Sequence, residues 1–293
     1  MSRVSPKVLA LLGALTVVWG TNWPLFRIAL DELPVWTFRT IVVSAAVLML
    51  TAILVIRRES FAVPKGKWPI LIAAAAMNVG VWNIATSLAV LYIPSGHASV
   101  LAYTMPLWVA LLGFVVFGQR LTPRLLAAIL IGAAAVVALM APNFRDYAQA
   151  PWGLFWGLLA GFCWAVGTFI VKRTAWPGMG LSLTFWQVII CLPPIALGAL
   201  LIEGLPTHWP SAKALTATIY TGAIPMALGT ATWFALVKLL PAQVAALSSI
   251  AIPIVAIVSG ILILHEPLSW LQAAAIASTV ISLWLALVPG RNR

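Results

Sequence analysis

Carboxylates are scarce in this sequence. Asp31, Glu32, Glu59, Asp146, Glu203 and Glu266 are the only acids among 293 residues, and each falls in an expected loop or at a segment end. No acid is therefore placed within an apolar run to bind a proton or a sodium ion. Charges of both signs make up 8% of the chain, against about a quarter in soluble domains, too few to solvate a globular surface. Cysteine is limited to Cys163 and Cys191, both inside apolar runs and without metal or redox spacing; this excludes a disulfide framework and leaves packing roles. The three histidines, His97, His208 and His265, stand apart from acids except in the adjacent pair His265-Glu266, which fits a turn and lacks zinc-site spacing. With no convergent nucleophile, base or metal cluster, an enzyme is disfavoured, and neither a cofactor nor a metal is expected. The absence of a Gly-x-x-x-x-Gly-Lys-Ser/Thr loop disfavours ATP-driven pumping.

What is abundant is apolar. Hydrophobic residues reach 63%, and the mean hydropathy is +1.07, which places the chain in lipid. A helix needs about 20 apolar residues to cross roughly 30 Å of hydrocarbon. Ten such runs occur near 8–30, 35–56, 68–91, 97–118, 124–141, 152–172, 181–202, 213–237, 242–264 and 270–288. The connections are short and carry turn signals, such as Leu33-Pro34, Ile93-Pro94-Ser95-Gly96, Leu121-Thr122-Pro123 and Leu240-Pro241. The first run follows Arg3 and Lys7 in the manner of a signal peptide. It extends to about Leu30 with no small-x-small site leading into a polar chain, and so reads as a retained helix.

The net charge of +11 would point to nucleic acid in a soluble protein. Here the cations sit in the gaps between apolar runs, where anionic headgroups attract them, and no nucleic-acid partner is expected. Alternate gaps differ. Arg3, Lys7, Arg57, Arg58, Lys65, Lys67, Arg120, Arg124, Lys172, Arg173, Lys238, Arg291 and Arg293 share one side, and only Arg145 and Lys213 take the other. Positively charged loops resist translocation, so both termini are expected in the cytoplasm, as an even number of crossings requires.

At an offset of 147 residues, Pro94 aligns with Pro241, Pro106 with Pro253, Gly113 with Gly260, Gln119 with Glu266, Leu121 with Leu268 and Thr37-Phe38 with Thr184-Phe185. Trp19 aligns with Trp164 after a slip of two residues. The chain reads as a duplication, residues 1–143 and 144–293, each with five crossings. An odd number of crossings sets the second copy into the bilayer the other way up. The expected fold class is thus an all-α integral membrane protein of ten transmembrane helices, built as two inverted five-helix repeats. Such halves can exchange conformations and expose a site near the midplane to each side in turn, which is alternating access.

The Trp19-Gly20-Thr21-Asn22 start, Arg39 early in the second segment, Pro106 in the fourth, and the turns Gly118-Gln119-Arg120-Leu121 and His265-Glu266-Pro267-Leu268 together resemble the drug/metabolite transporter superfamily. More narrowly, the chain resembles an EamA-type permease of the kind that exports amino acids. It departs at Gln119, where that family usually has glutamate after the fourth helix. The resemblance implies helices around a central cavity between the halves, export of amino acids and related metabolites, and a bacterial inner-membrane location.

Polar side chains inside apolar helices are costly unless they are paired or face water, so candidates are sought on shared faces. The first segment offers a stripe of Trp19, Asn22, Trp23 and Phe26, with Pro24 able to open the backbone locally. The third places Asn78, Trp82 and Thr86 at successive i+4 steps, an amide, an indole and a hydroxyl suited to a zwitterion with an apolar side chain; Asn83 lies on another face and reads as structural. In the sixth, Trp164 and Thr168 repeat the design, and Trp19 and Trp164 are expected as facing indoles. Tyr103 in the fourth segment and Trp186 and Gln187 in the seventh complete the cavity candidates. His97, read as interfacial, and Gln243, Ser248 and Ser249 rank behind them. For each group, helix-to-helix packing is the alternative reading. Pro106 and Pro253 read as hinges or kinks. Arg39 is the unusual charge, expected in a structural or gating ion pair with Asp31, Glu32 or Glu266, ahead of direct binding of a substrate carboxylate. A neutral cavity rich in aromatics favours neutral and aromatic amino acids as substrate over strongly charged solutes, carried by a facilitator that needs no ion gradient and no partner beyond lipid; a monomer suffices. A proton-coupled drug/metabolite antiporter is the alternative, and a channel or structural membrane subunit is the reading from a different class.

Overall fold

The structure is a computed structural model that describes residues 6–118, 151–206, 208–239 and 242–265, with isolated positions between 123 and 134 and between 270 and 281. Among the described residues all regular structure is helical. The first two helices are α1 (Pro6–Leu30) and α2 (Val35–Ile56). The third runs through α3 (Trp68–Ala75), a π-helical segment (Ala76–Val81) and α4 (Trp82–Tyr92), and the fourth through α5 (Ser95–Ala102) and α6 (Met105–Phe117). After the undescribed stretch come α7 (Pro151–Arg173) and α8 (Ser182–Gly198), the latter ending in a π turn (Ala199–Glu203). Next come α9 (Ala212–Thr221), a π segment (Gly222–Gly229) and α10 (Thr230–Leu239), followed by α11 (Ala242–Leu264). The runs expected near 124–141 and 270–288 lie outside the described residues. Among the described residues, five helical stretches are long and apolar enough to cross a membrane: Val35–Ile56, Trp68–Tyr92, Ser95–Val116, Pro151–Arg173 and Leu181–Glu203.

The most extensive packing joins the first part of the chain to the second: α1 against α11 and α9, α4 against α7, and α2 against α8 and the Gly222–Gly229 segment. In lipid the hydrophobic effect does not drive helices together, so close packing of small residues has to. Gly157 and Gly161 on α7 provide it: a Cβ at Gly157 would meet Leu101 Cβ at 2.8 Å, and one at Gly161 would meet the Ala102 carbonyl at 2.8 Å. Gly222 lies so close to the Val42 carbonyl that no Cβ fits between them. The outer surface is apolar, with Leu48, Ile56, Leu201 and Leu262 all more than 70% exposed, as a surface solvated by acyl chains must be.

The prolines behave differently from one another. Pro24 and Pro253 sit inside α1 and α11, which run on without interruption; the local opening expected at Pro24 is not found. In the fourth crossing the helix stops at Ala102 and restarts at Met105, with Pro106 in the first turn of the new helix and not within an old one. Proline is well tolerated there because its missing N–H would have no intrahelical partner. The Leu101 carbonyl accepts from the Thr104 N–H at 3.2 Å and from the Thr104 hydroxyl at 2.6 Å. The helix then ends at Gly118 with a φ of 61°, the left-handed conformation in which glycine stops a helix at least cost.

Candidate functional site

Between the two parts of the chain lies a narrow cavity. It encloses about 830 Å³ not filled by atoms, with the part open to solvent included, of which only about 80 Å³ is reached by the centre of a water molecule. Both parts contribute walls: Trp19, Trp23, Phe26 and Tyr103 meet Trp164, Val188, Pro225 and Met226, with Arg39, Asn78 and Gln187 among the polar members. Trp82 and Trp164 face each other with ring centroids 4.7 Å apart, and Tyr103 stands edge-on to Trp82 at 6.3 Å. A wall of indole faces accepts apolar and aromatic groups and also attracts cations weakly.

Two π segments reach this cavity, the first through Asn78 and Val79 and the second through Pro225 and Met226. A π turn shifts the hydrogen-bond register and so leaves carbonyls for side chains. The Val79 carbonyl accepts from Asn83 Nδ2 at 2.7 Å, and the Pro225 carbonyl accepts from Trp19 Nε1 at 3.0 Å. Each bond orients a residue of the cavity wall.

Arg39, on α2, is the one charged side chain among the lining residues, and it is 2% exposed. Its Nε donates to Ser87 Oγ at 2.6 Å, and its two terminal nitrogens donate to Asn83 Oδ1 and Thr86 Oγ1, each at 2.9 Å. The guanidinium carbon lies 4.2 Å from the centroid of the Phe26 ring and 4.8 Å from that of Phe38. The expected ion pair is not present among the described residues. Among the described residues, Asp31 pairs with Arg27 at 3.0 Å and Glu59 with Arg57 at 3.5 Å, while Glu32 serves Ser211 and Glu266 lies outside the described residues. Arg39 sits a turn deeper than the acids of the loop, and neutral oxygens of α4 reach it first.

The cavity wall also holds an amide pair. Asn78 Nδ2 donates to Gln187 Oε1 at 2.9 Å, and Gln187 Nε2 donates to the Leu183 carbonyl at 3.3 Å. That carbonyl can only accept, which fixes both amides in one orientation. Asn78 Oδ1 is then a buried acceptor with no donor, and its amide packs so closely on Gly167 of α7 that no Cβ fits between them. Asn22 Oδ1 accepts from the Thr221 hydroxyl at 2.9 Å.

Of the residues singled out in the sequence, Trp19, Asn22, Asn78, Trp82, Tyr103, Trp164, Gln187 and Arg39 line this space. Thr86, Thr168 and Trp186 do not. Thr86 stands behind the wall, donating to the Trp82 carbonyl at 2.8 Å while accepting from Arg39. Thr168 is half-buried away from the cavity. Trp186 donates to the Phe61 carbonyl at 2.8 Å and packs edge-on to Trp68 at 4.9 Å, so it anchors the segment before α3. Trp19 pairs with Trp233, at 5.6 Å, and not with Trp164. His97 is buried, not interfacial, and the side chains of Gln243, Ser248 and Ser249 lie outside those described. Asn83, Thr184 and Thr230 also line the cavity but were read as structural or passed over. For Asn83 the π segment is the reason, since a π turn rotates the following residues off the faces that i+4 counting assigns.

Above α2, two acids join the two parts of the chain. Glu203 accepts from the N–H groups of Trp36 and Thr37 and from the Thr37 hydroxyl, all at 2.8 Å, satisfying orphan donors at a helix N-terminus. Glu32 accepts from the Ser211 N–H and hydroxyl at 2.6 Å. The Ser211 hydroxyl, followed by its N–H, holds the Glu32 carboxyl below its usual range.

The description of the EamA-like transporter family matches two successive stretches of this sequence, residues 6–141 and 151–288. An "Uncharacterized transporter YvbV" from Bacillus subtilis (strain 168) is 27% identical over 281 residues, covering 94% of this chain and 90% of the relative. A "Probable amino-acid metabolite efflux pump" from Escherichia coli (strain K12) is 26% identical over 284 residues, covering 93% and 91%. A "Probable terminal-alkyne amino-acid exporter" from Streptantibioticus cattleyicolor is 28% identical over 274 residues, covering 90% and 87%. A solved crystal structure has the same fold, with a TM-score of 0.68 at 21% identity, over 96% of this chain and 97% of the other.

Proposed function

We propose, from the premise that this chain belongs to the EamA-like transporter family, that it is an inner-membrane carrier exporting amino acids and related small metabolites, with neutral and aromatic amino acids favoured. Family membership makes it a multi-pass membrane transporter; the substrate and the mechanism are the reading offered here. The observation that carries it is a narrow cavity walled by both parts of the chain and lined by indoles and amides. Relatives named as an amino-acid metabolite efflux pump and an amino-acid exporter support the substrate class.

Two inverted five-helix repeats, residues 1–143 and 144–293, supply the mechanism of alternating access. The double match of one family description and the matched positions of the two π segments support this reading. With both termini cytoplasmic, the Glu32 and Glu203 contacts lie at the external end and hold the halves together there. None of the described acids is buried, which favours a facilitator running down the solute gradient over coupling to protons.

The test is counterflow of labelled phenylalanine and leucine into proteoliposomes holding the purified protein, with no ion gradient. Saturable counterflow is expected, lowered at least about tenfold by Trp82→Ala or Trp164→Ala through loss of the facing indoles. Flux that requires an imposed pH gradient would replace the facilitator by an antiporter, and flux that does not saturate would replace the carrier by a channel.

A further inference from the structure

We infer that Arg39 and the oxygens around it form a carboxylate-binding subsite, and that the cavity takes monocarboxylates whether or not they also carry an amine. The inference rests on the carrier reading above and narrows it to a chemical class defined by the acid group.

Arg39 is a cation held in the cavity wall with no acid against it among the described residues. A guanidinium has five N–H bonds, and three are given to neutral oxygens of Asn83, Thr86 and Ser87. One N–H on each terminal nitrogen remains, the number that a carboxylate takes in a forked pair. Neutral acceptors solvate the charge without cancelling it, and a buried charge without a counter-ion is costly. Among the described residues no carboxylate lies within salt-bridge distance. The solute is therefore the group positioned to supply the missing charge.

The subsite is also held rigid. Asn83 is oriented by its Nδ2 bond to the Val79 carbonyl of the π segment, and Thr86 by its bond to the Trp82 carbonyl. The rings of Phe26 and Phe38 lie beside the guanidinium carbon. A fork fixed in this way gives up little freedom when an anion arrives, which concentrates binding energy on the acid group.

The other lining residues set the rest of the class. None is acidic, so an amine meets no counter-charge and is repelled by Arg39 unless a carboxylate has already neutralised it. In a zwitterion the ammonium can use the indole faces, which tolerate it without requiring it. A second carboxylate would enter with no cation to meet it, which limits the class to monoanions.

The experiment measures binding to the purified full-length protein in detergent, by calorimetry, for two matched series. One comprises phenylalanine, hydrocinnamate, phenylalaninamide and phenethylamine; the other, leucine, isocaproate, leucinamide and isoamylamine. In at least one series the two acids are expected to bind within about tenfold of each other, and the amide and the amine at least about tenfold more weakly. This comparison uses the unaltered protein, so it does not depend on how a variant folds. Arg39→Lys keeps the charge but loses the fork and is expected to weaken acid binding about tenfold; Arg39→Gln is expected to abolish it. Amide or amine binding as tight as acid binding, acid binding unchanged in Arg39→Gln, or no acid binding in either series would each overturn the subsite. Counterflow separates this inference from the carrier reading. Acid-selective binding without flux would sink the carrier and keep the subsite, whereas saturable flux inhibited equally by acid and amine would keep the carrier and sink the subsite.

Discussion

Regions of this chain that lie 147 residues apart are alike in backbone at one place and differ in chemistry at others. At that offset the π segment Ala76–Val81 falls on the π segment Gly222–Gly229. Arg39, buried and bonded to α4, falls on Trp186, bonded to the Phe61 carbonyl. The fourth crossing breaks before Pro106, while the matching Pro253 sits in an unbroken α11. A register shift in a helix is a property of the backbone and survives divergence of side chains, whereas charge and hinge do not have to be present twice. A binding site needs one cation, and two would repel each other across a narrow cavity.

Helix contact is the first place to break this comparison. Gly222 matches Ala75 in the other half and abuts the Val42 carbonyl, where a side chain has no room. Gly222→Leu is expected to destabilise by more than about 3 kcal/mol, and Ala75→Gly by about 1 kcal/mol; thermal unfolding in detergent, followed by tryptophan fluorescence, ranks them. Equal effects would remove the asymmetry in packing.

The polar positions come next. Asn83→Leu leaves a terminal nitrogen of Arg39 without its acceptor and is expected to cost about 2–3 kcal/mol, the range for hydrogen bonds to charged groups. Its counterpart Thr230→Val, on the same cavity but without a charge to hold, is expected to cost less than about 1 kcal/mol. A smaller loss is expected from Trp19→Phe, which removes one neutral bond to the Pro225 carbonyl, at about 1 kcal/mol.

The matched prolines sharpen the comparison through flux and not through stability. Pro106→Ala restores an N–H and lets a helix continue across the break, so exchange rates in proteoliposomes are expected to fall several-fold. Pro253→Ala is expected to leave flux near the unaltered level, because α11 is already continuous. Equal changes would show that the break is incidental.

The smallest effect concerns the loop acid. Ser211 lowers the Glu32 carboxyl below its usual range, so this contact stabilises the fold above the unfolded carboxylate value and is lost as pH falls through the lower, folded value. Stability curves of the unaltered protein and Ser211→Ala are expected to differ near neutral pH and to converge on acidification. A constant gap would mean that Ser211 acts only as the cap that accepts from the Ala214 N–H.

Helix positions were legible because about 20 apolar residues without charge have a single stable state in lipid, a hydrogen-bonded helix. Thus 35–56 and 242–264 coincide with α2 and α11. Much of the cavity was legible too, since Trp19, Asn22, Asn78, Trp82 and Trp164 are polar or amphipathic groups in apolar surroundings. Counting by i+4 failed after the π segment, which turned Asn83 toward the cavity and set Thr86 behind its wall. It failed again at Trp186, where a hydrogen bond to a distant carbonyl outweighed membership of a face.

The sequence by itself determined that this chain belongs in lipid, where its helices run, and that a polar stripe lies on several of them, because hydropathy and length are local properties read by the bilayer one segment at a time. Only the tertiary structure decided that Arg39 would meet neutral oxygens and not the acids of the loop, that Trp82 and not Trp19 would face Trp164, and that one proline would mark a break while its counterpart would not. These depend on which carbonyls and side chains approach from other helices, and on hydrogen-bond registers that shift by one residue with no mark in the composition.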